Sequence, residues 1–369
     1  MFVANRGYAL TSSRTNIIQR FMASGFKVVI VTADDSESRK LSRMGVILES
    51  VSFNRGGLSL KSDFGAYFRL ASIYRKWNPT LIHHFHAKPV IFGTLAAYRV
   101  LGSTVKVVNT ITGLGHAFIA GGLTAKFAGM GYGYALPRAA ITVFQNRDDR
   151  ALFLNRQWVS EQQARLITSS GVNTKRFFFV DRHGRDSKRP IIVTLCRLLR
   201  QKGIPEFVEV AHRILQHYPE ARFIIAGEED VEHPDAVSAE WVDNQKGVEY
   251  FGRLGDVAPL LAEADVLLFP SYREGVPRVV LEAAAMGLPT VGFQVPGVRE
   301  VVMDAQTGYL VADRDVDALT DRVVQLLEDE SLRLGMGRRA RKMVEESFDV
   351  SAIEEQYFQV YRDLGLKVV

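Results

Sequence analysis

Short runs of branched and aromatic residues alternate with amphipathic helical runs along most of the chain, and this alternation constrains the fold more than any other feature. Strands that are each followed by a helix are typical of parallel sheets, so the pattern predicts an α/β fold. The predicted strands are residues 1–4, 27–32, 46–51, 81–84, 105–111, 141–144, 191–195, 222–226, 248–251, 266–269, 290–293 and 309–311. The first is unusually short, which leaves open whether native residues precede Met1.

A polar segment, residues 181–189, divides the alternating pattern into two series. We interpret this segment as a linker between two tandem Rossmann-like, doubly wound domains. The expected bounds are 1–180 for the first domain, 190–346 for the second, and 347–369 for a C-terminal helix that packs back on the body toward the first domain. Because ligands of such sheets bind outside the carboxyl ends of the strands, we expect the two domains to face each other across a cleft.

Charge is divided unequally between the two halves of the chain. Residues 1–180 carry 23 Lys+Arg and 8 Asp+Glu, whereas residues 181–369 carry 23 and 33. A basic half favours an anionic partner, either a phosphorylated substrate or an acidic membrane surface, although a solvated basic surface is the simpler alternative. No nucleic acid is expected, because the basic residues are scattered and no nucleic-acid-binding motif accompanies them.

Several sequence features bear on where the protein works. The single cysteine, Cys196, excludes a disulfide framework and is consistent with a reducing compartment. No signal-peptide pattern is present, and no apolar run reaches the roughly 18 residues of a membrane-spanning helix. We expect a cytoplasmic protein, peripheral on the inner face of the plasma membrane. The basic aromatic segment 58–77 and the Gly-rich stretch after Phe118 are candidate membrane contacts, although the apolar stripe of the former is more typical of a domain core.

Two glutamates, Glu274 and Glu282, frame the junction between a predicted strand and a predicted helix, residues 278–286. If the span between them is mostly helical, it rises about 12 Å. That length matches a nucleotide-sugar from its hexose, across the diphosphate, to its ribose. The helix N-terminus between the two carboxylates would offer N–H groups to the diphosphate.

A second loop with suitable chemistry follows the strand 191–195. Arg197 and Lys202 lie in this loop, immediately before a predicted helix. An arginine fork and a lysine point charge suit a diphosphate, although an ordinary basic loop would look the same taken alone.

Together these residues resemble the signatures of retaining glycosyltransferases of family 4, which have the GT-B fold. The pattern consists of Arg197, Lys202-Gly203, Glu274-Gly-Val-Pro and Glu282. Weaker similarities lie at 170–177, 226–228, 251–254 and 307–310. The resemblance covers nearly the whole second half of the chain and, more thinly, the first.

The resemblance implies a role for each matching residue. Glu274 would hold hydroxyls of the donor sugar, and Glu282 would bind the ribose. Arg197 and Lys202 would neutralise the departing diphosphate, which is where charge builds in glycosyl transfer.

Backbone and base contacts are implied for four more residues. The N–H groups of Gly275 and Val276 would join the two cations, and Gly252 and Arg253 would lie near the base. The family's usual mechanism is front-face attack with retention, so neither glutamate need act as a nucleophile, unlike the carboxylate pair of a glycosidase.

The resemblance implies transfer of a hexose or N-acetylhexosamine from a nucleotide-diphosphate sugar, with a UDP-sugar favoured. The expected acceptor is the hydroxyl of a polyprenyl-diphosphate-linked sugar in bacterial surface glycan biosynthesis, such as polysaccharide or lipopolysaccharide. Two alternatives are a nucleotide-sugar 2-epimerase on the same fold and a nucleotide-sugar-binding protein without turnover.

No metal and no cofactor are expected. No Asp-x-Asp motif stands at a strand end, and the adjacent pair Asp34-Asp35 is more typical of a solvated loop. The two cations of the donor site can take the place of a metal ion.

A cluster of histidines follows the fourth strand of the first half, in His83-His-Phe-His-Ala-Lys88. Zinc is not expected, because no carboxylate or cysteine accompanies the histidines at ligand spacing. We interpret His86 as a candidate catalytic contact and Lys88 as a candidate acceptor contact. For His83 and His84, a half-buried structural role is as good an interpretation as a contact with a ligand.

A glycine-rich loop follows the next strand and resembles the subgroup of family 4 that acts on lipid-linked glycans and surface polysaccharides. Thr112, Gly113 and Gly115 would let the backbone approach the donor closely, and His116 is a second candidate catalytic histidine. The sequence does not decide between His86 and His116. A dinucleotide-binding motif is rejected, because position 118 is phenylalanine and no acid occurs between Asp63 and Asp148.

Overall fold

The computed structural model describes residues 1–53, 60–114 and 122–368, and these divide into two compact units. The first unit contains Met1–Ser170 and the C-terminal residues from Ala352, and the second contains Gly171–Ser351. The polar segment 181–189, predicted as a linker, lies inside the second unit. Its buried Arg182 donates to the carbonyls of Ala264 (2.7 Å), Met286 (2.6 Å) and Leu261 (2.7 Å), which ties the segment to that unit.

The first unit is built on a seven-stranded parallel sheet with the order β3-β2-β1-β4-β5-β6-β7. Its strands are β1 (Phe2–Val3), β2 (Val29–Thr32), β3 (Ile47–Ser50), β4 (Leu81–Phe85), β5 (Lys106–Ile111), β6 (Ile141–Phe144) and β7 (Ala164–Leu166). The chain reverses direction across the sheet between β1 and β4, so the carboxyl ends of these two strands form the topological switch point.

Helices of the first unit pack on the sheet in separate apolar clusters. They are α1 (Tyr8–Thr11), α2 (Thr15–Ala23), α3 (Ser36–Ser42), α4 (Leu60–Trp77), α5 (Thr94–Leu101), α6 (Gly122–Ala135) and α7 (Arg147–Asn155). A π-helical turn, Pro89–Gly93, leads into α5, and a 3-10 turn, Leu136–Arg138, follows α6. Helix α4 buries Leu70 and Tyr74 in the core, whereas Phe64 and Phe68 are exposed.

The second unit has a six-stranded parallel sheet with the order β10-β9-β8-β11-β12-β13. Its strands are β8 (Ile191–Leu195), β9 (Arg222–Ala226), β10 (Val248–Tyr250), β11 (Val266–Phe269), β12 (Thr290–Phe293) and β13 (Gly308–Val311). Its helices are α8 (Ile204–Leu215), α9 (Ala239–Asp243), α10 (Ala258–Glu263), α11 (Arg278–Ala285), α12 (Val316–Glu328) and α13 (Glu330–Ser347). The predicted α/β class with two doubly wound parallel sheets is confirmed.

The last helix, α14 (Val350–Asp363), begins in the second unit and continues into the first. Its residues Tyr357, Phe358 and Tyr361 are buried with Phe2 and Phe21 of the first unit. Among the described residues, no helix combines the length and apolar character needed to cross a bilayer.

Candidate active site

The candidate site of the second unit lies where its chain reverses across the sheet. Strands β8 and β11 are neighbours and parallel, with Val266 opposite Ile192. The loop after β8 carries Arg197 and Lys202, and the loop after β11 carries Glu274. Both loops therefore leave the same edge of the sheet at its switch point, which is where ligands of such sheets bind.

Lys202 and Glu274 form an ion pair between the Nζ and Oε1 atoms, and their side chains are only 17% and 14% exposed. The Ser271 hydroxyl donates to the same Glu274 oxygen at 2.7 Å. Two residues that the sequence assigned to one ligand are thus in contact, and a carboxylate with two partners has a defined orientation.

Backbone contacts hold the two loops together. The Tyr272 N–H donates to the Gln201 carbonyl at 3.0 Å, and the Gln201 N–H donates to an Asp235 carboxylate oxygen at 2.7 Å. Gly203 ends the first loop with a φ of +73°, and a Cβ there would lie 2.0 Å from the Pro270 carbonyl oxygen. The pairing of Lys202 with Glu274 therefore depends on a close approach that only glycine permits.

Replacing Gly203 with alanine is expected to destabilise the protein by about 2–4 kcal/mol, because the change adds left-handed backbone strain to a clash with backbone atoms. Chemical denaturation would measure the loss. Gly255→Ala is the matched control, since a Cβ at Gly255 meets no atom within 4 Å. Equal stability of the two variants would contradict the close approach at Gly203.

The backbone of Glu274 has a further support that the sequence analysis did not identify. Its N–H donates to the Pro296 carbonyl at 3.1 Å. Gly297 follows with a φ of +84°, and a Cβ on it would lie 2.5 Å from the Glu274 carbonyl oxygen. The sequence did contain a signal for this support, the Pro296-Gly297 pair after β12. That dipeptide is typical of a turn with a special backbone conformation.

Arg197 lies on the same loop as Lys202 but has a different partner. Its guanidinium donates to Asp230 at 2.7 Å and is 42% exposed. Asp230 follows β9, so Arg197 is held toward that neighbouring strand and not against Glu274. An exposed guanidinium remains accessible to an anion.

Glu282 lies on α11 and is 8% exposed, with Arg278 one turn earlier donating to it at 3.0 Å. Burial raises the pKa of the Glu282 carboxyl, while Arg278 acts in the opposite direction. The helix begins only at Arg278, so the span from Glu274 to Glu282 is helical in its second half alone. The estimate of about 12 Å between the two glutamates assumed a mostly helical span, so it does not apply.

The N-terminus of α11 carries no side-chain cap: Pro277 occupies the N-cap position and makes no such hydrogen bond. Gly275 and Val276 immediately precede it, in the loop that also carries Glu274. The first N–H groups of a helix have no intrahelical partner, so this end suits an anion that lies between the loops.

Gly252 and Arg253 lie beyond β10 and contact the loop after β9. The Gly252 carbonyl accepts from the Gly227 N–H at 2.8 Å, and Arg253 donates to Glu228 at 3.3 Å. Gly227 in turn has no room for a side chain, because a Cβ would lie 1.6 Å from the Cys196 carbonyl oxygen. These contacts form a continuous chain from the loop of Arg197 to that of Arg253.

In the first unit, His86 follows β4 at the switch point. Its φ is +71°, and its Nδ1 is buried without a hydrogen-bond partner. Burial lowers the pKa of His86 to about 4, so the ring is neutral at pH 7. Backbone strain and an unpaired ring nitrogen are features that cluster at functional sites.

Lys88, predicted as an acceptor contact, forms an ion pair with Asp63 of α4 at 2.7 Å, and both side chains are largely buried.

Thr112 and Gly113 follow β5, and Gly113 has a φ of +114°. The predicted contacts Gly115 and His116 lie outside the described residues.

His83 and His84 are fully buried structural residues. The His84 Nδ1–H donates to Asn109 at 2.9 Å, and the Tyr74 hydroxyl donates to Nε2 at 2.8 Å. His83 is hydrogen-bonded to Tyr361 and Thr110. Burial lowers the pKa of His84 to about 3, so it stays neutral. Within the described ranges no three His, Cys, Asp or Glu side chains come together as a metal site.

Comparison with known proteins gives matches to both halves of the chain. The family model described as glycosyl transferases group 1 matches residues 175–343, and the model described as glycosyl transferase 4-like matches residues 1–146. A Campylobacter jejuni protein named N,N'-diacetylbacillosaminyl-diphospho-undecaprenol alpha-1,3-N-acetylgalactosaminyltransferase is 28% identical over 98% of this chain and 97% of its own. N-acetyl-alpha-D-glucosaminyl L-malate synthase of Bacillus anthracis is 24% identical over 82% of this chain and 79% of its own.

Solved structures agree in fold. A glycosyltransferase from Rickettsia africae superposes with a TM-score of 0.77 at 16% identity, covering 99% of both chains. Anabaena Alr3699/HepE in complex with UDP and glucose superposes with a TM-score of 0.75 at 15% identity, covering 98% of this chain and 99% of its own.

Proposed function

This chain belongs to the GT-B glycosyltransferases of the family 4 type, and on that premise we propose a specific reaction for it. It transfers a hexose or N-acetylhexosamine, with retention and without a metal ion, from a nucleotide-diphosphate sugar to an acceptor hydroxyl. UDP is the favoured nucleotide. The acceptor is a polyprenyl-diphosphate-linked sugar, reached from the cytoplasmic face of the membrane. The observation that carries this proposal is the Lys202–Glu274 ion pair at the switch point of the second unit.

The donor is held by the two loops and by α11. Lys202 and the uncapped helix N-terminus bind the diphosphate, and Arg197 reaches it from the side of β9. Glu274 accepts hydrogen bonds from hydroxyls of the donor sugar, and Glu282 accepts them from the ribose. Because Lys202 touches Glu274, one residue pair contacts both the leaving group and the migrating sugar.

In the reaction, the bond between the anomeric carbon and the phosphate oxygen breaks, and its electron pair stays on that oxygen. The acceptor hydroxyl attacks the anomeric carbon from the same face, and its proton passes to the departing phosphate. Lys202 and the helix N-terminus stabilise the negative charge as it develops, which is the largest contribution expected for such a step. Glu274 has no nucleophilic role here.

We assign the candidate acceptor contacts to residues of the first unit. His86, whose ring is neutral, is the candidate for a hydrogen bond to an acceptor or sugar hydroxyl. Lys88 is already neutralised by Asp63, so it is the weaker candidate of the two. The acceptor class is supported by the Campylobacter relative, whose name specifies a sugar on diphospho-undecaprenol.

A donor panel assayed with bacterial lipid extract, followed by mass spectrometry, tests the proposal. We expect one UDP-sugar to add a single hexose or N-acetylhexosamine mass to a polyprenyl-diphosphate-linked sugar, with the α or β configuration of the donor preserved. Activity should persist in EDTA. Conversion of the donor alone would indicate an epimerase, and tight donor binding without transfer would indicate a binding protein, and either result would overturn the proposal.

A further inference from the structure

Helix α6 exposes large apolar side chains along one side. Phe127, Met130 and Tyr134 are 52%, 52% and 61% exposed. Their spacing of three and four residues places them on one face of the helix. Exposed apolar residues that are scattered singly need no explanation, but a contiguous row marks an interaction surface.

The opposite side of α6 is closely packed, so the exposed row is not the result of a loosely docked helix. Cβ atoms at Gly129 and Gly133 would lie 2.8 Å and 2.9 Å from Trp158. Tyr132 is buried against Phe153 and Trp158. The two glycines fix the helix close to Trp158, and the outward direction of the apolar row follows from that packing.

Arg138 connects the apolar row of α6 with an exposed aromatic side chain of α5. The Arg138 guanidinium lies 3.9 Å from the Tyr134 ring centroid and 5.2 Å from that of Tyr98 on α5, which is itself half exposed. We call Tyr98, Phe127, Met130, Tyr134 and Arg138 the aromatic patch. Such amphipathic side chains are favoured where an apolar phase meets water.

The basic residues of the chain around the aromatic patch favour an anionic partner. Residues 64–147, which include all five patch residues, contain no aspartate or glutamate. The basic residues of this stretch are Arg69, Arg75, Lys76, Lys88, Arg99, Lys106, Lys126, Arg138 and Arg147. Exposed Lys126 adjoins Phe127, and exposed Arg99 adjoins Tyr98. An apolar row in a stretch of the chain that carries cations and no acidic residues complements an anionic lipid surface.

We propose that the aromatic patch docks the first unit onto an anionic lipid bilayer. The apolar side chains enter the boundary between headgroups and acyl chains, while Lys126, Arg99 and Arg138 contact the phosphates. This inference rests on the proposed function in one respect: a lipid-linked acceptor lies in that bilayer. Docking confines enzyme and acceptor to the same surface and so raises their effective concentration.

Flotation with vesicles tests the docking directly. Wild-type protein should bind phosphatidylcholine vesicles that contain phosphatidylglycerol, and bind those of phosphatidylcholine alone far less. Phe127→Ser combined with Met130→Ser should weaken binding at least about tenfold, since two apolar side chains no longer leave water. Lys126→Gln should weaken binding about fivefold and reduce its salt dependence. Phe178→Ser is the matched control, because Phe178 is 62% exposed in the second unit.

Two further measurements keep this inference separable from the proposed function. With a water-soluble acceptor that carries a short prenyl diphosphate, the double variant should match wild type, because neither Phe127 nor Met130 is among the candidate catalytic, donor or acceptor residues. Vesicle binding by wild type without transfer to any acceptor would remove the proposed function and leave the docking supported. Vesicle binding unchanged in the double variant, or a dimer in solution that the double variant dissociates, would overturn the docking.

Discussion

Glu274→Gln is expected to lower kcat on the order of 10²- to 10³-fold, the range measured when one preorganised polar contact to a transition state is removed. The substitution keeps the shape of the side chain and its contact with Ser271, but it removes the charge that pairs with Lys202. Lys202 then loses its fixed position, and the sugar hydroxyls lose a charged acceptor. Steady-state kinetics with the identified donor, together with a thermal unfolding curve, would measure both consequences.

Glu220→Gln is the appropriate control for that experiment. Glu220 also pairs with a basic residue, Arg189, but both side chains are exposed, and such surface pairs contribute little. The control should turn over like wild type. If Glu274→Gln did the same while remaining folded, the role of Glu274 at the donor sugar would be wrong.

Lys202→Ala is expected to weaken binding of the nucleoside diphosphate product by about 10- to 100-fold, the loss that accompanies removal of a hydrogen bond to a charged group. Part of the loss comes from Glu274, because its carboxylate has lost its ion-pair partner and repels the diphosphate. Calorimetric titration of UDP gives the affinity directly and does not require the acceptor to be known.

The same titration separates the two contributions. In Lys202→Ala combined with Glu274→Gln, the repulsion is absent, so part of the affinity should return. Lys246→Ala, at an exposed lysine of the same unit, should bind UDP like wild type. Unchanged affinity in Lys202→Ala would place the diphosphate elsewhere.

Strong apolar periodicity made the sheets predictable. Each predicted strand has a counterpart, and the helix after β11 begins at its expected start, Arg278. Strand β7 was missed because its three residues include a charged arginine and lack an apolar run. The segment 181–189 was predicted as a linker because of its polar composition, whereas its Arg182 and Arg185 side chains donate to carbonyl groups of the second unit.

The sequence suggested residues for a donor site but not their arrangement. Spacing along the chain suggested Arg197, Lys202, Glu274 and Glu282 as one set. It could not indicate that Lys202 contacts Glu274 while Arg197 contacts Asp230, because those pairings depend on which strands are neighbours. The same holds for Lys88, whose partner Asp63 lies 25 residues earlier.

The passage of α14 from one unit to the other has a consequence for biosynthesis. Tyr361, near the end of the chain, hydrogen-bonds His83 at 2.7 Å and fills the same core as Phe2 and Phe21. Chains emerge from the ribosome N-terminus first, and domains usually fold as units during synthesis. Here the second unit has every residue it needs before the first unit does. The first unit must wait, with an apolar face uncovered, until the last helix has been made.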